Sequence, residues 1–222
     1  MEIYLIRHGQ STNNALGTSN GRSHDPSLTE AGFLQAAATA DYLQKVNMHF
    51  DWLYCSAMLR ALQTAHPIGA ALGVTPEVWI DVHEGGGLYL DQPDGEHIGY
   101  PGLTRAEILG QFPHYQLPVH VTETGWWNRG HESDAQATGR AIDVAEQLVE
   151  RSQGSSERIA IVTHGFFSNL LLKALLNQIP ARHLYYYHNN TGITRLDISA
   201  DGFLTLRYLN RTEHLSANLI TY

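Results

Sequence analysis

Short apolar runs alternate with longer helical stretches along most of this chain, and that alternation most limits what it can fold into. Residues 3–6, 52–55, 76–80 and 159–162 read as strands. Helical stretches at 30–46, 57–72, 132–151 and 166–176 separate or follow them. A strand that leads through a helix to the next strand is a crossover, and repeated crossovers build a parallel sheet with helices on its faces. Residues 193–198 and 203–209 are joined instead by Ala200-Asp201-Gly202, a hairpin signal that puts an antiparallel pair at one edge. The expected fold is α/β: a three-layer α/β/α sandwich with a mostly parallel central sheet and an antiparallel edge.

Local signals place some boundaries. Ser27 or Thr29 is suited to cap the first long helix, and Gly73 to end the second. Pro67 is expected to kink or shorten that second helix. Residues 13–26 read as loop. From Gly85-Gly86-Gly87 to about Arg129 the pattern is irregular, with four prolines and one short helix near Arg105–Gln111. The chain therefore reads as one domain over 1–222, with residues 85–130 as a lid-like insertion and the glycines as its hinge.

Composition closes off other classes. The chain has 222 residues, 43% of them hydrophobic and 16% charged, which excludes disorder. The net charge of −8 and the lack of a basic stripe argue against a nucleic-acid partner. No run of about 20 apolar residues is present, so no membrane association is expected. The one cysteine, Cys55, permits no internal disulfide and sits in an apolar strand as a packing residue. With no basic, apolar leader at the N-terminus, a cytoplasmic location is expected. Thirteen histidines invite a metal reading, but no His-Glu-x-x-His and no Cys/His ligand cluster occurs, so neither a metal nor another cofactor is expected.

Two strands end alike, one as Leu5-Ile6-Arg7-His8-Gly9 and the other as Ile161-Val162-Thr163-His164-Gly165. In parallel sheets ligands bind at the C-terminal ends of strands, near helix N-termini, so both histidines should reach one rim. A glycine after each would let the backbone approach a ligand closely.

Taken in order, these segments resemble the histidine phosphatase superfamily, the branch with cofactor-dependent phosphoglycerate mutases and many small phosphatases. Leu5-Ile6-Arg7-His8-Gly9-Gln10-Ser11 with Asn14 is similar to its opening motif, and Pro26-Ser27-Leu28-Thr29-Glu30-Ala31-Gly32 to the entry into its first helix. Ser56-Ala57-Met58-Leu59-Arg60-Ala61-Leu62-Gln63-Thr64-Ala65 resembles its second basic motif, and Thr163-His164-Gly165 its second histidine. Glu132-Ser133 with Arg140, and Asn190-Thr191-Gly192-Ile193, resemble later landmarks, while residues 85–130 lie outside the resemblance.

The resemblance implies a phosphohistidine mechanism, and the residue types suit it. Neutral imidazole, with an ordinary pKa of about 6.5, is a competent nucleophile toward a phosphate dianion. His8 would attack phosphorus. Arg7 and Arg60 would hold the phosphoryl oxygens, with His164 as a further donor if protonated. Asn14, Asn20, Gly21 and the backbone N–H groups from Gly165 onward would complete substrate binding. The cationic pocket would keep His8 neutral. Glu84 would protonate the leaving group and later take a proton from water, with Asp81 and His83 as alternatives.

Substrate class is approached through charge. No Lys or Arg occurs from Ala61 to Thr104, while Glu77, Asp81, Glu84, Asp91, Asp94 and Glu96 do. Only Arg105 and Arg129 stand between Arg60 and Arg140. A mutase must hold a second anionic group, so this stretch favours a phosphomonoesterase of a small, sugar-like, weakly anionic phosphate ester, releasing inorganic phosphate. Tyr89, Tyr100, Phe112, Tyr115, Trp126 and Trp127 suit a wall against such a leaving group or pack the insertion onto the body. A phosphoglycerate mutase and an inert phosphate-binding or regulatory protein are the alternatives.

Overall fold

The computed structural model describes residues 1–16, 21–179 and 183–222. Strand β1 (Glu2–Arg7) leads to a one-turn helix α1 (Thr12–Ala15) and then to α2 (Glu30–Lys45), capped by the Thr29 hydroxyl accepting from the Gly32 N–H at 3.1 Å. Strand β2 (Trp52–Cys55), helix α3 (Leu59–Leu72) and strand β3 (Pro76–Val78) follow. Gly73 ends α3 in the left-handed conformation, as expected. Then come a 3₁₀ turn (Ile80–Val82), a hairpin of β4 (Tyr89–Asp91) and β5 (His97–Gly99), and helix α4 (Arg105–Gln111). The chain closes with α5 (Asp134–Ser152), β6 (Arg158–Thr163), α6 (Gly165–Leu175), β7 (Ile193–Ile198) and β8 (Leu204–Arg211).

The six-stranded sheet has the order β3-β2-β6-β1-β7-β8. Pairs β3/β2, β2/β6 and β6/β1 are parallel; β1/β7 and β7/β8 are antiparallel. Side-chain alternation along each strand makes two cores. Tyr4, Ile6, Leu53, Cys55, Ala160 and Val162 face α2 and α3, whereas Ile3, Leu5, Ile159 and Ile161 face α5 and α6. Fully burying one such side chain stabilises the fold by about 1.5–3 kcal/mol, which is why both faces need a helical cover. The three-layer expectation holds.

Three local expectations change. Pro67 lies inside α3, which still runs its full 14 residues. The missing N–H removes one helix bond, but Ala61, Leu62, Ala65 and Ile68 bury the face around it, and packing prevails. Strand β3 is only three residues long because the chain turns into the 3₁₀ element instead of continuing to residue 80. The β4/β5 hairpin, short and exposed at β5, carried no alternation strong enough to read.

Residues 85–130 supply Leu88, Ile108, Phe112, Tyr115, Val121, Trp126 and Trp127 to the core on the α2/α3 side. The Tyr115 hydroxyl donates to the Leu62 carbonyl at 2.7 Å. Gly87, with φ +73°, packs against the Trp127 indole where a Cβ would lie 2.2 Å from it. The expected hinge glycine is therefore used for tight packing. Among the described residues no helix is long and apolar enough to cross a membrane.

Candidate active site

Strands β1 and β6 are parallel neighbours with Arg7 opposite Thr163, so the residue after each, His8 and His164, reaches the same rim. Their ring centroids lie 5.0 Å apart. On the far side of β6, β2 leads into α3, whose first turn carries Arg60. Strand β3 and the 3₁₀ turn then deliver Glu84. The structure thus brings together Arg7, His8, Arg60, Glu84 and His164.

His8 is 2% exposed. Its Nδ1 lies 2.6 Å from the Gly9 carbonyl oxygen, which only accepts, so Nδ1 carries the proton and Nε2 the lone pair. Arg60 Nε donates to that lone pair at 3.1 Å. The His8 backbone is pinned by its N–H on the Thr163 carbonyl (2.8 Å) and by Asn190 Nδ2 on its own carbonyl (3.1 Å). Burial, then the charges of Arg60 and Arg7, hold its pKa well below 6.5. The neutral state expected from the cationic pocket thus has burial as its larger cause.

His164 is fully buried, and neither ring nitrogen has a hydrogen-bond partner among the described residues. Burial, then Arg60 and His8, push its pKa well below 6.5 as well. Burial thus disfavours the protonated form on which its role as a further donor was conditional, and the neutral ring still offers one N–H.

Arg7 donates from one terminal nitrogen to the His188 carbonyl at 2.6 Å, while its buried Nε has no partner among the described residues. Gly165 lies against that guanidinium: a Cβ there would sit 3.3 Å from Nε. Arg60 stands 3.8 Å from Asp25. Asp25 was not singled out from sequence; its one signal is its place directly before Pro26 in the helix-entry motif. Its Oδ1 accepts from the Leu59 N–H at 3.0 Å and its Oδ2 is buried without a partner among the described residues. Burial pushes its pKa up to about 6, against the opposing pull of Arg60 and the Leu59 N–H.

Glu84 Oε1 accepts from the N–H groups of Gly85 (3.0 Å) and Phe167 (2.9 Å), and Oε2 from that of Phe166 (3.3 Å). The backbone donors after His164, expected to cradle phosphate, are therefore held by Glu84 here. This tethers Glu84 to the start of α6, beside His164. The two alternatives are placed otherwise. His83 is buried, its Nδ1 2.7 Å from the Ile80 carbonyl oxygen and its Nε2 3.6 Å from Glu132. Asp81 lines a surface cleft of about 450 Å³ beside β3, with Trp79, Arg129 and Arg151, which holds neither rim histidine.

Asn14 closes a capping box, its Oδ1 accepting from the Ser11 N–H at 3.0 Å; its Nδ2 makes no hydrogen bond among the described residues. Gly21 is exposed in the left-handed region at φ +79°. Asn20 lies outside the described residues. Gly9 serves packing: a Cβ there would meet the Gly32 carbonyl oxygen at 2.6 Å. The loop thus lies directly on α2, which differs from the expected role in ligand approach. Toward the mouth, exposed Arg22 interacts with Arg60 and with Tyr89, and Tyr185 with both Glu84 and Arg7. Neither Arg22 nor Tyr185 stood out in the sequence.

The result is an oriented imidazole lone pair surrounded by guanidinium and imidazole donors, some with no partner among the described residues. Buried donors of this kind are suited to a tetrahedral oxyanion. Among the described residues no group of three or more His, Cys, Asp or Glu side chains converges to hold a metal.

A buried ion pair lies behind the site. Arg140 meets Glu132 at 2.8 Å and 2.6 Å through two parallel bonds. Burial raises the Glu132 pKa, but its two bonds to Arg140 and the nearby His83 ring outweigh this and hold it at about 2. Its stabilising contribution is therefore present above pH 4.5 and is lost as pH falls toward 2. Glu132→Gln is expected to cost about 3 kcal/mol at pH 7, since it leaves Arg140 buried without a counter-charge. The deficit should shrink as pH falls below 4.5 in urea titrations; a deficit independent of pH would contradict this account.

Comparison with known proteins agrees with this geometry. Residues 3–211 match the model of the histidine phosphatase superfamily (branch 1). The chain is 32% identical, over 74% of its length and 64% of the relative's, to a metal-independent phosphoserine phosphatase of Arabidopsis thaliana. It is 25% identical to an adenosylcobalamin/α-ribazole phosphatase of Salmonella typhimurium, covering 95% of this chain and 96% of the other. A solved phosphoserine phosphatase variant of Entamoeba histolytica, in complex with phosphoserine, superposes with a TM-score of 0.64 at 25% identity, over 97% of this chain and 99% of that one.

Proposed function

We infer that this chain, which belongs to the histidine phosphatase superfamily (branch 1), hydrolyses small phosphate monoesters without a metal, through a covalent phosphohistidine on His8. The observation that carries the reading is the His8 ring itself. Its proton is committed to Gly9, and its Nε2 lone pair faces the Arg60 guanidinium at 3.1 Å.

In the first step Nε2 attacks phosphorus while the bond from phosphorus to the leaving oxygen breaks. Glu84 gives its proton to that oxygen, so the alcohol departs and Glu84 becomes a carboxylate. Arg60, Arg7 and His164 donate to the phosphoryl oxygens, with Asn14, Asn20, Gly21 and the Gly165 backbone at their edge. Water then attacks phosphorus, Glu84 takes its proton, and the N–P bond breaks, returning the electron pair to Nε2 and releasing inorganic phosphate.

A phosphatase is favoured over a mutase by where the two arginines between Arg60 and Arg140 lie. Arg105 donates to the carbonyls of Leu117, Pro118 and Val121, so its guanidinium is committed to its own loop. Arg129 stands over Trp127 and lines the cleft beside β3. Neither supports a second anion at the rim. Residues 85–130 form an outer wall, with Tyr89 near Glu84 and Tyr100 stacked on His24 at 4.0 Å, a surface suited to a sugar-like, weakly anionic leaving group. The relatives named for phosphoserine and α-ribazole support small monoesters as a class.

Phosphate release from sugar phosphates, phosphoserine, phosphoglycerates and an aryl phosphate, measured in EDTA, tests this. Metal-independent hydrolysis is expected, with conversion of 3- to 2-phosphoglycerate at most a trace. Efficient conversion would replace the reading with a mutase, and a pocket that binds phosphate without releasing it from any ester would mark an inert binder.

A further inference from the structure

Glu84 lies in a loop, outside strand, helix and helix cap. Its loop is held from both sides by the Glu132–Arg140 pair. Arg140 donates to the carbonyls of Asp81 at 2.6 Å and His83 at 3.0 Å, just before Glu84. The Glu132 N–H donates to the Gly86 carbonyl at 3.0 Å, just after it. The Arg140 guanidinium also lies over the Phe167 ring, 4.5 Å from its centroid, and the Phe167 N–H is the one that holds Glu84 Oε1. One guanidinium therefore touches both the Glu84 loop and the helix end that receives its carboxylate.

Stability alone gives a weak reason for such a pair, because well-packed apolar residues of similar volume are often equally stabilising. Two charges buried beside a loop are better explained by what they aim. Misplacing a reacting group by about 1 Å costs about 100-fold in rate. We propose that Glu132 and Arg140 are positioning residues that aim Glu84 for proton transfer to the leaving oxygen. The proposal rests on Glu84 being the acid.

Leaving groups separate positioning from mere structural support. A 4-nitrophenolate departs with little need of a proton, whereas an alkoxide such as that of phosphoserine needs one. Arg140→Lys keeps the charge but loses the fork that spans Glu132 and the two carbonyls. It is expected to lower kcat/KM for phosphoserine about 10- to 100-fold, and for 4-nitrophenyl phosphate less than about 3-fold. Glu132→Gln should show the same asymmetry, and Glu84→Gln a larger one. Adding Arg140→Lys to Glu84→Gln should leave the ratio of the two esters unchanged. The ratio is taken on one preparation and does not depend on how much of it is folded. Equal losses on both esters in Arg140→Lys and Glu132→Gln, with asymmetry intact in Glu84→Gln, would overturn the positioning role and leave the acid in place. No asymmetry in Glu84→Gln would overturn both.

Discussion

Replacing His8 by alanine is expected to lower kcat/KM for phosphate release by at least about 10⁴-fold while leaving phosphate binding within about 10-fold of wild type. Binding survives because Arg7, Arg60 and His164 remain. Turnover does not, because no neighbour can take over as nucleophile. His164 is the nearest candidate, with ring centroids 5.0 Å apart. Its two nitrogens have no partner among the described residues, so no described group fixes which one carries the proton or where the lone pair points. In His8 both are decided by the Gly9 carbonyl. Initial rates of phosphate release over a range of ester concentrations, with rapid-quench labelling, measure the effect. Wild type should trap an acid-labile phosphoryl group, and His8→Ala should trap none. Residual activity above about 1% of wild type would mean that another residue carries the phosphoryl group.

Arg60→Met should cost about 10²–10³-fold in kcat/KM, the usual loss of one preorganised donor at a developing charge. Arg60 acts in three ways at once. It holds the His8 lone pair, it helps to keep His8 neutral, and it is the cation facing Asp25. Removing it should let the His8 pKa rise and the Asp25 pKa rise further. Asp25 also ties this variant to stability. Its folded pKa of about 6 is raised above the ordinary 3.8, so its neutral form contributes stability below pH 3.8 that is lost as pH rises through 6. Without Arg60 the ionised form has lost its cation. The stability deficit of Arg60→Met should therefore be larger at pH 8 than at pH 5 in urea titrations. Arg60→Lys should not restore activity, because an ammonium lacks the fork that reaches Nε2 and Asp25 together. A deficit equal at the two pH values would show that Asp25 is not charged against Arg60.

Short-range chemistry in the sequence determined much of this protein. Alternation, caps and glycine stops placed α2, α3, β2, β6 and α6 to within a few residues, and the paired strand ends pointed to His8 and His164 before any contact was known. The resemblance added Arg7, Arg60 and Glu84, and the structure brings all five to one rim. Tertiary structure alone decided the rest. That β1 lies beside β6, over 150 residues away, follows from the sheet order and not from either strand's own residues. The burial of Asp25, the neutrality of His164, the use of Gly9 and Gly87 for packing and the clasp of Arg140 on the Glu84 loop all depend on that neighbourhood. Hydrophobic period and capping act within a few residues, so they are written locally. Desolvation and charge coupling depend on which distant groups exclude water together, and only the packed chain determines that.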